Sequence, residues 1–589
     1  MRKIVSGIVL IASTVLFAQD SFNLHSVIVD NPADTMLWQA RTSTGRISGA
    51  RGVWSGSDLD QDGRQEIWAT DYTDGGKVHA FEWYYGDTLV HVWSSEATNS
   101  TYSTGTRWVQ TGDLDGDGLG EVIFFAGRYA STDTAQGLYV YEWDGVSDNG
   151  YGMKPTWQRN MHTVYEDTIS RVRVEHFSVD DIDGDGKQEI IYAHDDWPSD
   201  PAFGTTSATH AAYSGDRFTI ASVSGDIGSS ITPPVLNEEY SISPRDVDKD
   251  GARKNALGGG SPQSAMIADM DGDGKKEAVC ISWNNLAVFV IEATGADTYT
   301  LGDTTYQKLA DSDDWTLGAA VADADKDGKD EVYIPAYYDK QLFIIADKDG
   351  ISTTLTSSEW AVLDTTWGAA SGASASNNAF GDPAVFIEKS GTDRGISMFQ
   401  YTGTGTVTDS ANWTRSDFKR DTLQTGDYTK IFAGSNIDRD SFGEVIVAIQ
   451  GVKDSLYAGT DTAEVNPTSN RVILRVLEYS GKSTALSIKD MVLITPEDYK
   501  LSQNYPNPFN PTTTIEYTLP IASKISISIF NVMGQEVASI IQNQDKPAGT
   551  YQVTWNGMDK SGNQVASGTY FYSMRFGNFT KTKQMTFMK

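Results

Sequence analysis

The stretch "TGDLDGDGLGEVIFFAG" (residues 111–127) joins an acid-rich turn to an apolar run. Asp113, Asp115 and Asp117 alternate, Gly118 follows, and Glu121 stands just before the run. Carboxylates at positions 1, 3 and 5 of such a loop converge on one side. Glycine at 6 permits the sharp turn, and Glu at 9 closes the shell. An EF-hand carries its bidentate Glu at position 12 and is flanked by helices. Here the last acid comes at position 9 and the following run has strand character, so the EF-hand reading fails.

The loop recurs along the chain, and recurrence at a fixed period is the signature of a repeat architecture. Its members are "DLDQDGRQE" from Asp58, "DLDGDGLGE" from Asp113, "DIDGDGKQE" from Asp181, "DMDGDGKKE" from Asp269 and "DADKDGKDE" from Asp323. A slightly worn sixth, "NIDRDSFGE", begins at Asn436. Each precedes a β-prone run such as "VIFFAG" or "VYIPAY". A second strand-like stretch follows in most units, for example "KVHAFEW", "GLYVYEW", "LAVFVIE" and "VILRVLEY". Alternation and β-branched or aromatic content make these strands.

The six loops start 55, 68, 88, 54 and 113 residues apart. The last gap is about twice the shortest, which predicts a hidden unit near residue 380. "NNAFGDPAVFIEKSGTDRGISMFQYTG" fills it, with the same two strands and without the alternating acids. Seven units of four antiparallel strands around an axis make an all-β, seven-bladed β-propeller. "DTMLWQART" (34–42) resembles the outer strands of the units but has no unit before it, and the last unit runs out after "VILRVLEYSG". The N-terminal segment is therefore expected to supply the outermost strand of the seventh blade and to close the ring, removing an open edge.

The loop acids are Asp58, Asp60, Asp62 and Glu66; Asp113, Asp115, Asp117 and Glu121; Asp181, Asp183, Asp185 and Glu189; Asp269, Asp271, Asp273 and Glu277; Asp323, Asp325, Asp327 and Glu331; and, in the sixth, Asn436, Asp438, Asp440 and Glu444. They account for 23 of the 79 acids of a 589-residue chain whose formal charge is −33. Hard oxygen ligands in flexible loops suit Ca²⁺ better than Mg²⁺, so about six structural calcium ions are expected. Six would bring −33 to about −21. "DVDKDGARK" at Asp246 has Lys254 where Glu belongs and lies 23 residues before Asp269. It reads as an insertion with a weaker site. The acidic balance disfavours nucleic acid and anionic membrane as partners.

These loops and strands resemble the FG-GAP/VCBS repeats of integrin-α-like propellers, across roughly residues 20–490. The resemblance implies a seven-bladed propeller with calcium in loops joining strands of one blade. Such propellers serve in adhesion, in ligand binding and in some polysaccharide-degrading enzymes, so it fixes no function.

The ends of the chain have other roles. Arg2 and Lys3, the apolar "IVSGIVLIASTVLF" and Ala18 form a signal peptide over 1–18, and no later segment is long and apolar enough to span a membrane as a helix. The expected propeller covers 19–485 and a linker 486–499. From Asp498 to Lys589 the balance turns basic, with eight basic and five acidic residues. Alternating strands there, including "TIEYTLP" and "KISISIF", read as a small Ig-like β-sandwich over 500–589. "YKLSQNYPNPFNPTTTIEYTLP", "SISIFNVMGQEV" and the terminal "KQMTFMK" resemble the type A C-terminal sorting domain of type IX secretion. That resemblance implies export to the surface of a Gram-negative bacterium of the Bacteroidetes type, with the secretion machinery as partner.

Catalytic motifs are missing: there is no HExxH, GxSxG or Walker loop. All seven histidines fall in the first 210 residues, and the single Cys280 in "EAVCIS" reads as a small buried hydrophobe. "AHDDW" (193–197) is the best catalytic or metal candidate. A binding face is easier to motivate. The turns entering the innermost strands should ring the axis, and they carry Arg51, Trp54, Arg107, Trp108, Arg173, His176, Gln263, Trp315, Trp367 and Tyr428. Such residues could stack sugars or grip anionic polysaccharide, or the aromatics could simply pack between blades. The expected function is a secreted or surface-attached binding and adhesion module for glycans or proteins. The alternatives are a polysaccharide lyase or hydrolase on the same scaffold and a purely structural envelope role.

Overall fold

The computed structural model describes residues 22–30, 50–71, 76–84, 88–96, 106–127, 136–161, 164–165, 168–169, 172–194, 217–242, 262–282, 286–301, 314, 316, 318–346, 359–365, 372–377, 382–389, 395–419, 427–435, 437, 443–450, 471–479, 499–519, 523–546, 549–560, 562–576 and 579–589. Between Phe22 and Tyr479 they form seven four-stranded antiparallel sheets, and no α-helix occurs among the described residues. The innermost strands are Ala50–Ser55, Val109–Gly112, Val174–Asp180, Pro262–Ala268, Ala320–Ala322, Ala373–Ser376 and Asp427–Ser435. Each touches the innermost strand of the next sheet, and the last touches the first, so the sheets form a ring.

Apolar residues lie between sheets as well as within them. Ile123, Phe125 and Val140 of the second sheet pack with Phe177, Ile190 and Tyr192 of the third. Ile67 and Phe81 of the first pack with Ile446, Leu474 and Val476 of the seventh. This explains the strand composition. Second strands such as Glu121–Ala126 are buried on both faces, so they read as continuous apolar runs instead of alternating ones.

The ring closes as the sequence requires, with a different stretch. Phe22–Asp30 lies antiparallel to Arg471–Tyr479 and forms the outermost strand of the seventh sheet. The expected strand at 34–42 lies outside the described residues, as do the signal peptide, the linker up to residue 498 and the Asp246 loop. The hidden unit is present as the sheet Ala373–Ser376, Ala384–Lys389, Gly395–Tyr401 and Trp413–Lys419.

Seven more strands between Lys500 and Phe587 form a three-stranded and a four-stranded sheet. The alternation holds: Ile515, Tyr517 and Leu519 are buried on one strand, and Ile525, Ile527 and Ile529 on another.

Candidate metal loops and axial cavity

Each acidic loop bridges the first and second strands of its sheet, and its carboxylates fold the backbone around themselves. In the second sheet the position-1 carboxylate of Asp113 accepts from the amides of Gly116 at 2.8 Å and Gly118 at 3.0 Å. Asp117 accepts from Leu119 at 2.7 Å, and Glu121 Oε2 from Leu114 at 2.7 Å. The last bond recurs in all six loops: Glu66, Glu189, Glu277, Glu331 and Glu444 accept from Leu59, Ile182, Met270, Ala324 and Ile437 at 2.6–3.2 Å. The position-9 glutamates are therefore fixed and buried before any ligand arrives.

The arrangement fits a calcium ion. Asp113, Asp115, Asp117 and Glu121 each offer an oxygen within 4.8 Å of the others, and so do Asp58, Asp60 and Glu66, and Asp181, Asp183 and Glu189. Ligands at 2.3–2.6 Å from one ion can be no more than about 5 Å apart, so these spacings suffice. In Glu121, Glu277 and Glu331 the other oxygen, Oε1, is buried without a hydrogen bond. An orphaned carboxylate oxygen is costly unless something cationic meets it. Burial and then neighbouring carboxylates push Glu66 and Glu121 up to about 9, and Glu189, Glu277 and Glu331 up to about 8. A hard divalent cation would reverse that penalty.

Two parts of the site escaped sequence reasoning. Across the strand pairs, Glu66 faces Glu82, Glu121 faces Glu142, Glu277 faces Glu292, and Glu444 faces Glu478. These second acids end the runs "HAFEW", "YVYEW", "FVIE" and "RVLEY", and the shared position was the available signal. The position-3 aspartates also reach the next sheet. Asp60 accepts from the Asn149 amide at 2.6 Å, Asp115 from Ile227 at 2.6 Å and Asp183 from Asp297 at 2.5 Å. No sequence signal marks those donors, because they sit in outer turns of unlike sequence.

Of the sixth loop only Ile437, Gly443 and Glu444 are described; Asn436, Asp438 and Asp440 lie outside. Trp315 and Trp367 of the expected ligand face, and Asp195 and Asp196 of "AHDDW", also lie outside, and for Tyr428 only the strand is described.

The remaining ligand-face residues do converge on the axis, but as a buried cluster and not as an exposed ring. Glu175, 2% exposed, pairs with Arg51 at 2.9 Å, with Arg173 at 2.6 Å and with Arg107. Burial alone would raise its pKa, but Arg107, Arg51 and Arg173 outweigh burial and hold it well below the usual carboxylate range. Trp108 and His176 are buried with their rings 4.5 Å apart, and Gln263 is buried too. His176 Nδ1 is 3.0 Å from the Ala265 carbonyl, and burial followed by Lys430 keeps the ring neutral. Of the two readings of Trp108, packing is the one this geometry matches: its ring meets His176 and, at 4.7 Å, the Lys430 ammonium. Trp54 is half-buried, edge-on to Trp108 and Phe432, with its indole N–H on Thr111 Oγ1 at 3.0 Å. Cys280 is fully buried, as expected.

Below this cluster lies an axial cavity of about 410 Å³ touched by all seven innermost strands. Small residues of the fifth to seventh sheets, including Gly318, Ala320, Ala375 and Gly434, leave the space, while the larger Trp54, Met266 and Phe432 also line it. The one carboxylate among its described lining residues is Asp180, paired with Lys276 at 2.5 Å.

The comparisons with known proteins bear on the fold. An FG-GAP-like repeat model matches residues 58–124 and 269–334, and a FlgD Ig-like domain model matches 510–577. The C-terminal match is thus to a FlgD-type Ig fold, and the sorting domain itself is not among the matches. A rhamnogalacturonan lyase (PL11) of Bacillus licheniformis aligns over 74% of this chain and 90% of its own, at 14% identity and a TM-score of 0.32. PorZ, a bacterial surface component of the type-IX secretion system of Porphyromonas gingivalis, aligns over 94% and 83%, at 12% identity and a TM-score of 0.22. FlgD of P. aeruginosa aligns over 15% of this chain and 64% of its own, at 23% identity and a TM-score of 0.11. Likenesses this low carry nothing about activity. No curated protein matches the chain.

Proposed function

We propose that the chain is an exported, calcium-stabilised propeller that binds glycans or proteins without transforming them, and that residues 500–589 direct its type IX secretion. The calcium reading draws on the orphaned, buried Oε1 atoms of Glu121, Glu277 and Glu331 inside clustered carboxylates. The binding reading rests on one observation. Acid–base hydrolysis needs paired, available carboxylates, whereas among its described lining residues the axial cavity presents Asp180 alone, already ion-paired. A glycan-array screen with and without calcium tests it; calcium-dependent retention supports the reading, and no retention under either condition rejects it.

The enzymatic alternative draws on Lys430. Burial lowers its pKa to about 7, where a lysine can take up and release protons. New reducing ends or unsaturated sugars released from any retained polysaccharide would decide for that alternative. Surface delivery of a chain lacking 500–589 would overturn the sorting assignment. Among the described residues no helix is long and apolar enough to cross a membrane.

A further inference from the structure

Lys430 stands out in the axial cavity. It lies on the seventh innermost strand, is 2% exposed, lines the cavity, and its Nζ makes no hydrogen bond. An ammonium buried without an acceptor costs several kcal/mol in general, so such groups normally meet an anion. Its only described ring contact is the Trp108 face at 4.7 Å, a weaker partner than an oxyanion. Gly318 and Gly372 make room around it. A Cβ on Gly318 would lie 3.1 Å from Nζ, and one on Gly372 would lie 3.6 Å from Lys430 Cδ and 3.4 Å from a Glu388 oxygen.

The local charge also favours an anion. Arg51, Arg107 and Arg173 give three positive charges against Glu175 and Glu388, and Lys430 adds a fourth when protonated, an excess of one to two in a chain of net −33. His176, the remaining titratable group at this end, stays neutral. The cavity has a closed floor of Trp108, His176 and Lys430, all buried. Half-exposed Val179, Asp180, Ile267 and Val321 mark its mouth, on the side of the acidic loops. Its volume suits a molecule of about monosaccharide size.

We propose that the axial cavity is a carboxylate-binding site in which Lys430 takes the carboxylate of a uronic-acid-sized ligand. This deepens the binding reading above, because it names the ligand chemistry and the residue. A single ammonium beside the neutral rings of Trp108 and His176 matches one carboxylate. The acidic loops beside the mouth select against loosely held polyanions, so recognition depends on the buried contact and not on long-range attraction.

The test uses the full calcium-loaded chain, with glucuronate as probe, glucose as neutral control and hyaluronan as a polymer bearing the same carboxylate, all by titration calorimetry. Glucuronate should bind and glucose should not, and Lys430→Met should weaken glucuronate by about tenfold or more, the loss of one charge-assisted hydrogen bond. Competition by hyaluronan assigns the site to a polymer-borne acid, and its failure assigns it to a free one; both support a carboxylate site. Glucuronate that does not bind, or binds the variant as tightly, overturns the proposal. Retention of a polymer by the variant at undiminished affinity would leave the binding reading standing while this site falls. If Lys430→Met does not fold, proton uptake by the unaltered chain decides. At pH 8 bound glucuronate should draw in about one proton as Lys430 regains its charge, and no uptake rejects the proposal.

Discussion

The second and sixth sheets follow one strand plan with different chemistry where the first strand turns into the second. In the second, Gly112 pairs with Glu121; in the sixth, Ser376 pairs with Ala384 at the corresponding place. Ala384 is fully buried like Glu121, and the sixth sheet still has its four strands in register. A sheet of this ring therefore forms without the acids. Where the acids occur they create a cost, namely buried carboxylates pushed up to about 8 or 9, that the sixth sheet avoids. The difference separates what makes the blade from what would load it with cation under the proposed calcium reading, and it can be tested from both sides.

The largest expected effect is chelation. If five or six loops hold calcium, EGTA should lower the melting temperature of the propeller by about 10 °C or more, since an ion that binds only the folded state stabilises it by mass action. The C-terminal strands carry no such loop and should melt as before. Calorimetry of the intact chain resolves the two, and a propeller transition indifferent to EGTA would remove the metal from the account.

Next comes the axial cluster, where protein groups balance the charges. Glu175→Gln leaves buried Arg107 and half-buried Arg51 and Arg173 around a neutral group and should cost about 3–5 kcal/mol in guanidinium unfolding. The cost should be the same with and without calcium. A loss that appeared only in EGTA would tie the cluster to the loops instead.

Acid should act through the first sheet. His79 and His91 are buried, and Ser94 Oγ lies 2.7 Å from a ring nitrogen of each. Burial lowers His91 from 6.5 to about 4. Because the folded value is depressed, the unfolded chain binds the extra proton first. The contribution is thus intact above about pH 6.5 and is lost as the pH falls toward 4, by about 3 kcal/mol for this one group. His91→Phe should flatten that part of the stability-versus-pH curve in calcium buffer, and an unchanged slope would show that the ring does not stay neutral in the fold.

How much of this was legible in the sequence follows from where each signal is stored. The loop acids are local, nine residues long and repeated, so they announced the ring, the candidate ligands and, through the doubled gap before Asn436, even the acid-free sheet. Closure was legible as a need, but the strand that meets it, Phe22–Asp30, was not, because many short alternating runs could pair with Arg471–Tyr479. Arg51, Arg107 and Arg173 were picked out by position, yet their common partner Glu175 was missed. Their meeting joins residues 124, 68 and 2 apart, a relation only the ring creates. Lys430 left no trace at all, since a lysine beside Tyr428 in a strand reads as an ordinary surface cation until the axis is assembled around it.

The smallest effect is the most discriminating. Glu121→Gln keeps the shape and the bond from the Leu114 amide but removes the charge from one loop. In calcium it should cost about 1–2 kcal/mol, the weakening of a single site among several. In EGTA it should be neutral or slightly stabilising, because a buried carboxyl crowded by Asp115, Asp113 and Glu142 gives way to a neutral amide. Ala384→Glu makes the reciprocal change in the sixth sheet, installing the position-9 acid without its alternating companions. It should destabilise equally in calcium and in EGTA, since one buried carboxylate does not make a coordination shell. A calcium-dependent rescue of Ala384→Glu would mean that the glutamate alone recruits the ion, and the distinction between the two kinds of sheet would then reduce to one residue.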